Sequence, residues 1–362
     1  MLGKLDPPMA ARFAVDLDAV RAYVAEQITA GNPALAKRIA THFEVSRPTA
    51  YNYLRALLDE DFIARVGRDR YALKKRKYEY SHHVTGLAEH IVWDNELQPI
   101  LSDLPENVQE IWHYGCTEMI NNVIDHSESN SVFIEVTRGG LETQIEVHDE
   151  GVGIFRKIAR ALNLEDERHS VLELSKGKVT TDPDNHTGEG IFFSSRVFDD
   201  FSILSGHVYY SHKSPRDEDY ILGQETSATD VDGTSVFMTL SDSSNRNLAQ
   251  VFDEYATDTE EYRFDRTVVP VRLLQYGDDR LVSRSQAKRL LTRFDRFRTV
   301  ILDFHGVESV GQAFADEVFR VFQAQHPEVE LVPIHANEQV ARMISRAISG
   351  RDPQRGPFRI DH

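Results

Sequence analysis

The chain has 362 residues, 41% hydrophobic and 27% charged, which is the composition of a folded globular protein of two or three domains. One cysteine, Cys116, excludes an internal disulfide and cysteine-rich zinc sites and leads us to expect a reducing, cytoplasmic setting. No run approaches the roughly 18 apolar residues of a membrane span, so no membrane partner is expected, and the prolines and acidic residues at the start stand where a signal peptide would need an apolar stretch.

The net charge of −17 argues against nucleic acid until the chain is divided. Residues 1–78 hold 14 Lys+Arg against 9 Asp+Glu, or +5, and the remainder holds 27 against 49, or −22. A basic module on an acidic body points to a local nucleic-acid surface.

The first segment predicts three helices and a hairpin. Asp18 can cap a helix over 19–30, ended by Gly31-Asn32-Pro33, and a second helix covers 34–43. After the turn Glu44-Val45-Ser46, Pro48 sits in the first turn of a third helix that runs to Asp59. Residues 62–66 and 70–73 flank Gly67-Arg68-Asp69 as two short strands. Leu35, Ile39, Val45, Ala50, Leu54 and Leu57 have the spacing that packs two helices together. Ser46, Arg47, Thr49, Tyr51, Asn52 and Arg55 are left facing outwards, and Arg68 lies in the hairpin with Arg65 and Arg70. The stretch 35–55 resembles the helix-turn-helix of winged-helix bacterial regulators. That resemblance covers about 15–73 and implies a double-stranded DNA partner, with those polar side chains on phosphates and base edges. The alternative is a winged helix used for protein contacts.

Lys74-Lys75-Arg76-Lys77 reads as a charged boundary. A long helix is expected over 83–101, with Leu87, Ile91, Leu97, Ile100 and Trp93 as an apolar stripe for a homodimer or for the protein's own sheet. A second helix runs over 106–125. Strands are expected at 131–137, 141–148, 201–205, 207–212 and 235–240, with a helix at 191–198 and no regular element over 155–185.

Four short elements follow one another here. Glu118, Asn121, Asn122, Asp125 and His126 lie on the helix, where Glu118 and Asn122, four apart, share a face. Asp149-Glu150-Gly151-Val152-Gly153 follows a strand, Gly188-Glu189-Gly190 precedes a helix, and Gly233-Thr234 precedes a strand. Together they read as an ATP pocket. Asn122 offers a neutral oxygen to a Mg²⁺ carried by phosphates, with Asn121 able to share the task, and Glu118 can take a proton from a nucleophile. Asp149 can accept a hydrogen bond from the adenine amino group. Gly151 and Gly153 let the backbone turn against the base, and Gly188 and Gly190 leave amides free at a helix N-terminus, where phosphates bind. The segment between the second and third elements would be a mobile lid, with Lys176 and Lys178 as candidate phosphate contacts. Asp125 and His126 read equally as caps or as functional groups.

Residues 85–245 resemble the GHKL superfamily of gyrase, heat-shock chaperone ATPases, mismatch-repair ATPases, histidine kinases and anti-sigma-factor kinases. The resemblance implies the Bergerat α/β sandwich, MgATP binding, a catalytic base at Glu118 and a Mg²⁺ ligand at Asn122. The Asn122–His126 spacing looks most like the anti-sigma and histidine-kinase branch. Glu189 and Phe192 depart from it, standing where small or aliphatic residues are common.

An acidic linker is expected over 253–261. Strands at 268–274, 300–304 and 329–334 then alternate with helices at 284–293, 312–323 and 338–348, which favours an α/β layer fold. Residues 267–348 resemble STAS-like domains, the fold of anti-sigma-factor antagonists, through Val300–Ala315. At the position of the family's phosphorylated serine stand Gln312 and Ala313, so its phospho-switch does not carry over. Ser309 is a weak substitute. Asp303 and Ser309 read as structural, which leaves a docking or dimerising role.

The expected architecture is multidomain α/β: a winged helix-turn-helix over 1–77, a Bergerat-type ATP-binding domain over 78–257, a STAS-like domain over 258–350 and a tail over 351–362. The combined reading is a nucleotide-gated DNA-binding transcriptional regulator with slow Mg-dependent ATP hydrolysis. Two alternatives stand beside it. One is a protein serine or histidine kinase of the anti-sigma-factor type, for which His82, His83 and His90 are the nearest phosphoacceptors. The other is a DNA-sensing ATPase of stress or phage defence.

Overall fold

A computed structural model describes residues 15–180, 187–214, 218–223, 231–256, 264–275 and 280–349. The described residues form a mixed α/β structure with three sheets, and the chain divides into two compact units. The first is drawn from Met1–Glu79, Glu135–Ile145 and Ser241–Ser243, the second from Tyr80–Ile134, Glu146–Leu240 and Ser244–His362. The tail 351–362, residues 257–261 of the expected linker and residues 181–186 of the expected lid lie outside the described residues.

The first unit opens with helices α1 (Leu17–Thr29), α2 (Leu35–His42) and α3 (Arg47–Asp59), then strands β1 (Ile63–Gly67) and β2 (Arg70–Leu73), which pair antiparallel. Ser46 caps α3 by accepting from the Thr49 amide at 3.2 Å. Val20, Val24, Leu35, Ile39, Ala50, Tyr53, Leu54 and Leu57 form one buried cluster, with Val45 packed at its edge. Tyr53 is fully buried, and its hydroxyl accepts from the Val15 amide at 2.8 Å and donates to the Val15 carbonyl at 3.3 Å. Removing that hydroxyl strands two backbone groups. Tyr53→Phe is therefore expected to lower stability by about 1 kcal/mol, read as a shift in the urea midpoint at constant slope.

Strand β3 (Arg76–His83) departs from the expected boundary and helix start. Its exposures alternate: Tyr78, Tyr80 and His82 are half-buried, and Lys77, Glu79 and Ser81 are exposed. That is a period of two, hidden in the sequence by the run of cations before it. The helix begins later, as α4 (Glu89–Val92), a π-helical stretch Trp93–Leu97 and α5 (Gln98–Leu101). Val92, Trp93, Leu97 and Leu101 are buried, so of the expected apolar stripe Trp93 and Leu97 enter the chain's own core, while Leu87 and Ile100 are half-buried and Ile91 is 48% exposed.

Helix α6 (Glu106–His126) buries Val108, Ile111, Trp112, Gly115, Cys116, Met119, Ile120 and Val123, one stripe at helical spacing. Strands β4 (Ser131–Gly139) and β5 (Glu142–Asp149) follow. The stretch 155–185, expected to be irregular, contains α7 (Ile154–Ala161) and α8 (His169–Lys176). All eight residues of α8 are buried, polar ones included, so it has no solvent face to give a period. After α9 (Gly190–Val197) come β6 (Asp200–Gly206), β7 (Val208–Lys213), β8 (Glu218–Gly223) and β9 (Val231–Ser241). The large sheet runs β3-β4-β5-β9-β6-β7-β8, with β6 antiparallel to both β7 and β9.

Helix α10 (Leu248–Glu254) leads to a parallel three-stranded sheet in the order β10-β11-β12 (Arg266–Pro270, Thr299–Asp303, Glu330–Ile334). The expected strand 268–274 stops at Pro270 and tightens into a 3-10 turn, Val271–Leu274. Helices α11 (Arg284–Leu291), α12 (Gln312–Asp316), α13 (Gln323–Gln325) and α14 (Glu338–Ser349) complete the layer, a π-helical stretch Glu317–Phe322 joining α12 to α13. The core of this sheet continues into Leu172 of α8 and Phe192 and Phe193 of α9. Among the described residues no helix is long and apolar enough to cross a membrane.

Candidate functional site

A cavity of about 310 Å³ lies within the second unit, lined by parts of all four motif segments. The face of α6 next to its buried stripe supplies Glu118, Asn121, Asn122 and His126; the end of β5 supplies Asp149; the following turn and α7 supply Gly153, Ile154 and Lys157. Val179, Thr180, Thr187, Gly188, Glu189 and Gly190 border it, and Thr234 comes from β9.

Two glycines explain the convergence. Gly190 opens α9 directly against Glu118, and a Cβ there would overlap the Glu118 carboxylate. Gly233 has φ +81°, and a Cβ there would run into the Asp149 backbone carbonyl. At Gly233 the close approach of β9 to the second motif requires the absent side chain, whereas at Gly190 only the far end of the flexible Glu118 side chain stands in the way.

Asp149 is 4% exposed, and its Oδ1 accepts from the Gly151 amide at 2.8 Å. Burial raises its carboxyl above the ordinary range, against the pull of hydrogen bonds from the Gly151 and Thr234 backbone. Thr234 Oγ1 accepts from the Ile154 amide at 3.0 Å and so ties β9 to the turn after Gly153. Gly151 supports Asp149 from behind rather than lining the cavity. Asn122 donates weakly to Met119 Sδ at 3.9 Å, and among the described residues its carboxamide oxygen accepts no hydrogen bond. The first-turn amides of α9 belong to Gly190, Ile191 and Phe192, ahead of the Phe193 amide that bonds to the Glu189 carbonyl. Burial also raises the carboxyl of Glu189, with Lys178 opposing.

Lys176 and Lys178 do not line the cavity. Lys176 is fully buried, donating to Glu173 at 2.6 Å and to the carbonyls of Thr292 at 3.0 Å and Arg289 at 3.3 Å. Burial lowers its amine to about 8; Glu173 opposes that shift and Arg293 adds to it. Lys178 donates to the Arg296 carbonyl at 3.0 Å and lies 4.7 Å from the Phe297 ring centre. Both face the parallel-sheet module because carbonyls and rings there satisfy them. Phe192, the other departure noted in the sequence, turns the same way and packs on Tyr255 and Phe264.

The lysine at the cavity is Lys157, which the sequence reading passed over. It donates to the His126 carbonyl at 2.6 Å and reaches Glu128 at 3.4 Å. Its signal in the sequence is its place four residues after Gly153, which points to the cavity only once α7 is a helix. Among the described residues no three carboxylate, imidazole or thiol groups converge to hold a metal ion.

In the first unit, Arg47, Tyr51, Asn52, Arg55 and Arg68 are exposed, and Thr49 is half-buried. The Ser46 hydroxyl is committed to the cap and to Thr49 Oγ1 at 2.8 Å. In the parallel-sheet module, Gln312 and Ala313 open α12. Asp303 Oδ1 accepts from the His305 amide at 2.8 Å and pairs with His335 at 2.9 Å, a loop-holding role.

Residues 286–341 match the family described as a STAS-like domain of unknown function (DUF4325). No curated protein matches the chain.

Proposed function

We propose that this is an ATP-binding regulator, built from a GHKL-type Bergerat domain, an N-terminal winged helix that binds DNA, and the STAS-like module. The observation that carries the nucleotide reading is the meeting of four separate motif segments around one cavity, with a buried carboxylate at Asp149 and a helix N-terminus at Gly190.

The donor set fits MgATP. Asp149 would accept from the adenine amino group. Asn122, whose oxygen has no partner among the described residues, would coordinate the cation carried by the phosphates. Lys157 and the first-turn amides of α9 would receive phosphate oxygens. Bound MgATP supplies the phosphoryl group. Glu118, beside that helix N-terminus, would hold a water and take its proton. ATP can gate DNA binding only by binding the competent and incompetent states with different affinity.

An assay with γ-labelled ATP tests the activity. Free phosphate is the expected product. Glu118→Gln is expected to keep ATP affinity and lose turnover by at least about 100-fold. Label on the protein would mean a kinase instead. Turnover that survives in Glu118→Gln would remove Glu118 as the base.

A further inference from the structure

We infer that the STAS-like module is a built-in positioning element of the nucleotide cavity, with Arg293 as its principal grip. The inference rests on the nucleotide reading above and names a regulation of that same site.

The carbonyls of residues 176–178 belong to the stretch that leads from α8 to the cavity border at Val179 and Thr180. Each is held by the module. Thr267 donates to the Lys176 carbonyl at 2.8 Å, and Arg293 donates to the Gly177 carbonyl at 2.8 Å and to the Lys178 carbonyl. The side chains are held too. Glu173 sits between two cations, the buried Lys176 at 2.6 Å and the half-buried Arg293 at 3.1 Å, and the Lys176 ammonium also donates to the carbonyls of Arg289 and Thr292.

The other border of the cavity is anchored on the same module. Gly190 opens α9 at the cavity, and two residues later Phe192 and Phe193 pack on Phe264 with ring centres 4.6 and 5.0 Å apart. The two borders are joined to each other by the Val179 amide, which donates to the Gly188 carbonyl at 3.2 Å. A ligand that displaces either border must strain a buried ion network or an aromatic cluster. Neither deforms continuously, so the module and the cavity share one free-energy balance. A partner that docks on the module would change nucleotide affinity, and nucleotide would change the partner's affinity by the same factor. This gives the module a task that needs no phosphorylatable serine at Gln312.

The held borders include Gly188–Gly190, where the phosphates would bind, whereas the adenine amino group is assigned to Asp149 on β5. Loosening them should therefore weaken ATP and spare adenosine, whereas general loss of structure would weaken both. Calorimetry on the full chain is expected to show ATP affinity about tenfold lower in Arg293→Ala, with adenosine affinity changed by less than about twofold. Arg293→Lys keeps the charge beside Glu173 but replaces a planar guanidinium, which reaches Glu173 through Nη1 and the two carbonyls through Nη2, by a single ammonium on a shorter stem, so it should fall between. Thr267→Val removes one hydrogen bond at nearly constant shape and should weaken ATP about threefold. It decides the matter if Arg293→Ala melts without a cooperative transition. Amide exchange should also slow over 284–299 when wild-type protein binds ATP. If wild type binds ATP while Arg293→Ala and Thr267→Val match it and exchange over 284–299 does not move, the module is a passive neighbour. If wild type binds neither ATP nor adenosine, the nucleotide reading fails and takes this inference with it.

Discussion

MgATP affinity is expected to fall by roughly one to two orders of magnitude in Asp149→Ala, the loss that follows from one buried hydrogen bond to a charged acceptor. The variant should also lose its preference for ATP over GTP. A carboxylate can accept from the adenine amino group and meets only a carbonyl at that position of guanine, so its removal abolishes the distinction. Selectivity is the more telling readout, because the Gly151 amide loses its acceptor in the same variant and could loosen the turn without any role in base recognition. Unchanged selectivity would overturn the adenine assignment even if affinity fell.

The same residue fixes a pH dependence. Burial raises the Asp149 carboxyl, so its neutral form accumulates at a higher pH than for an ordinary aspartate. A protonated carboxyl is a poorer acceptor for the adenine amino group, and ATP binding should weaken as pH falls, beginning at a higher pH than an ordinary aspartate would set. The stability sign is opposite. A carboxyl whose pKa is raised by folding contributes stability below its unfolded value and loses it as pH rises through the folded one. Acid weakening of ATP binding therefore cannot be acid unfolding at this residue. Calorimetry at several pH values, beside urea unfolding at the same values, separates the two.

The site was legible in the sequence where one element carried its whole pattern. Glu118 and Asn122 are four apart on a helix whose apolar stripe runs from Val108 to Val123, so their shared face followed from the helical period alone. Glycines at 188, 190 and 233 marked places where backbone comes close, although the sequence does not say to what. What was missed depends on tertiary burial. Helix α8 places Ser170, Glu173, Ser175 and Lys176 in the interior, and such a helix shows no amphipathic signal. Lys176 and Lys178 lie between the second and third motif elements, where a lid would bring lysines to phosphates. Their direction is set by carbonyls of Thr292 and Arg296, more than a hundred residues away. Strand β3 was masked by the cations at 74–77, which carry charge information and no periodicity. The STAS-like module was read correctly as alternating strands and helices, but its shared core with α8 and α9 has no local signature.

DNA affinity is expected to fall by about two orders of magnitude in the double variant Arg47→Ala, Arg55→Ala, near the lower end of what two arginine contacts contribute at about 1–3 kcal/mol each. Both side chains are exposed on α3, with Tyr51 and Asn52 exposed between them, so the substitutions remove charge without opening the cluster around Tyr53 and Leu54. Stability should stay within about 0.5 kcal/mol of wild type. Ser46→Ala is the poorer choice because it deletes the helix cap as well as a possible contact. Salt titration separates the roles of the two arginines. If both neutralise phosphates, the slope of log K against log salt should flatten by about 1.8 in the double variant. If one reads a base edge instead, the slope should change by about half that, and discrimination at one position of the site should relax by about 1–3 kcal/mol. Anisotropy on DNA enriched from a random pool provides both measurements. A pool that enriches no sequence, with or without ATP, would make this exposed face a protein-contact surface, and the local charge of +5 would then serve an acidic partner rather than a phosphate backbone.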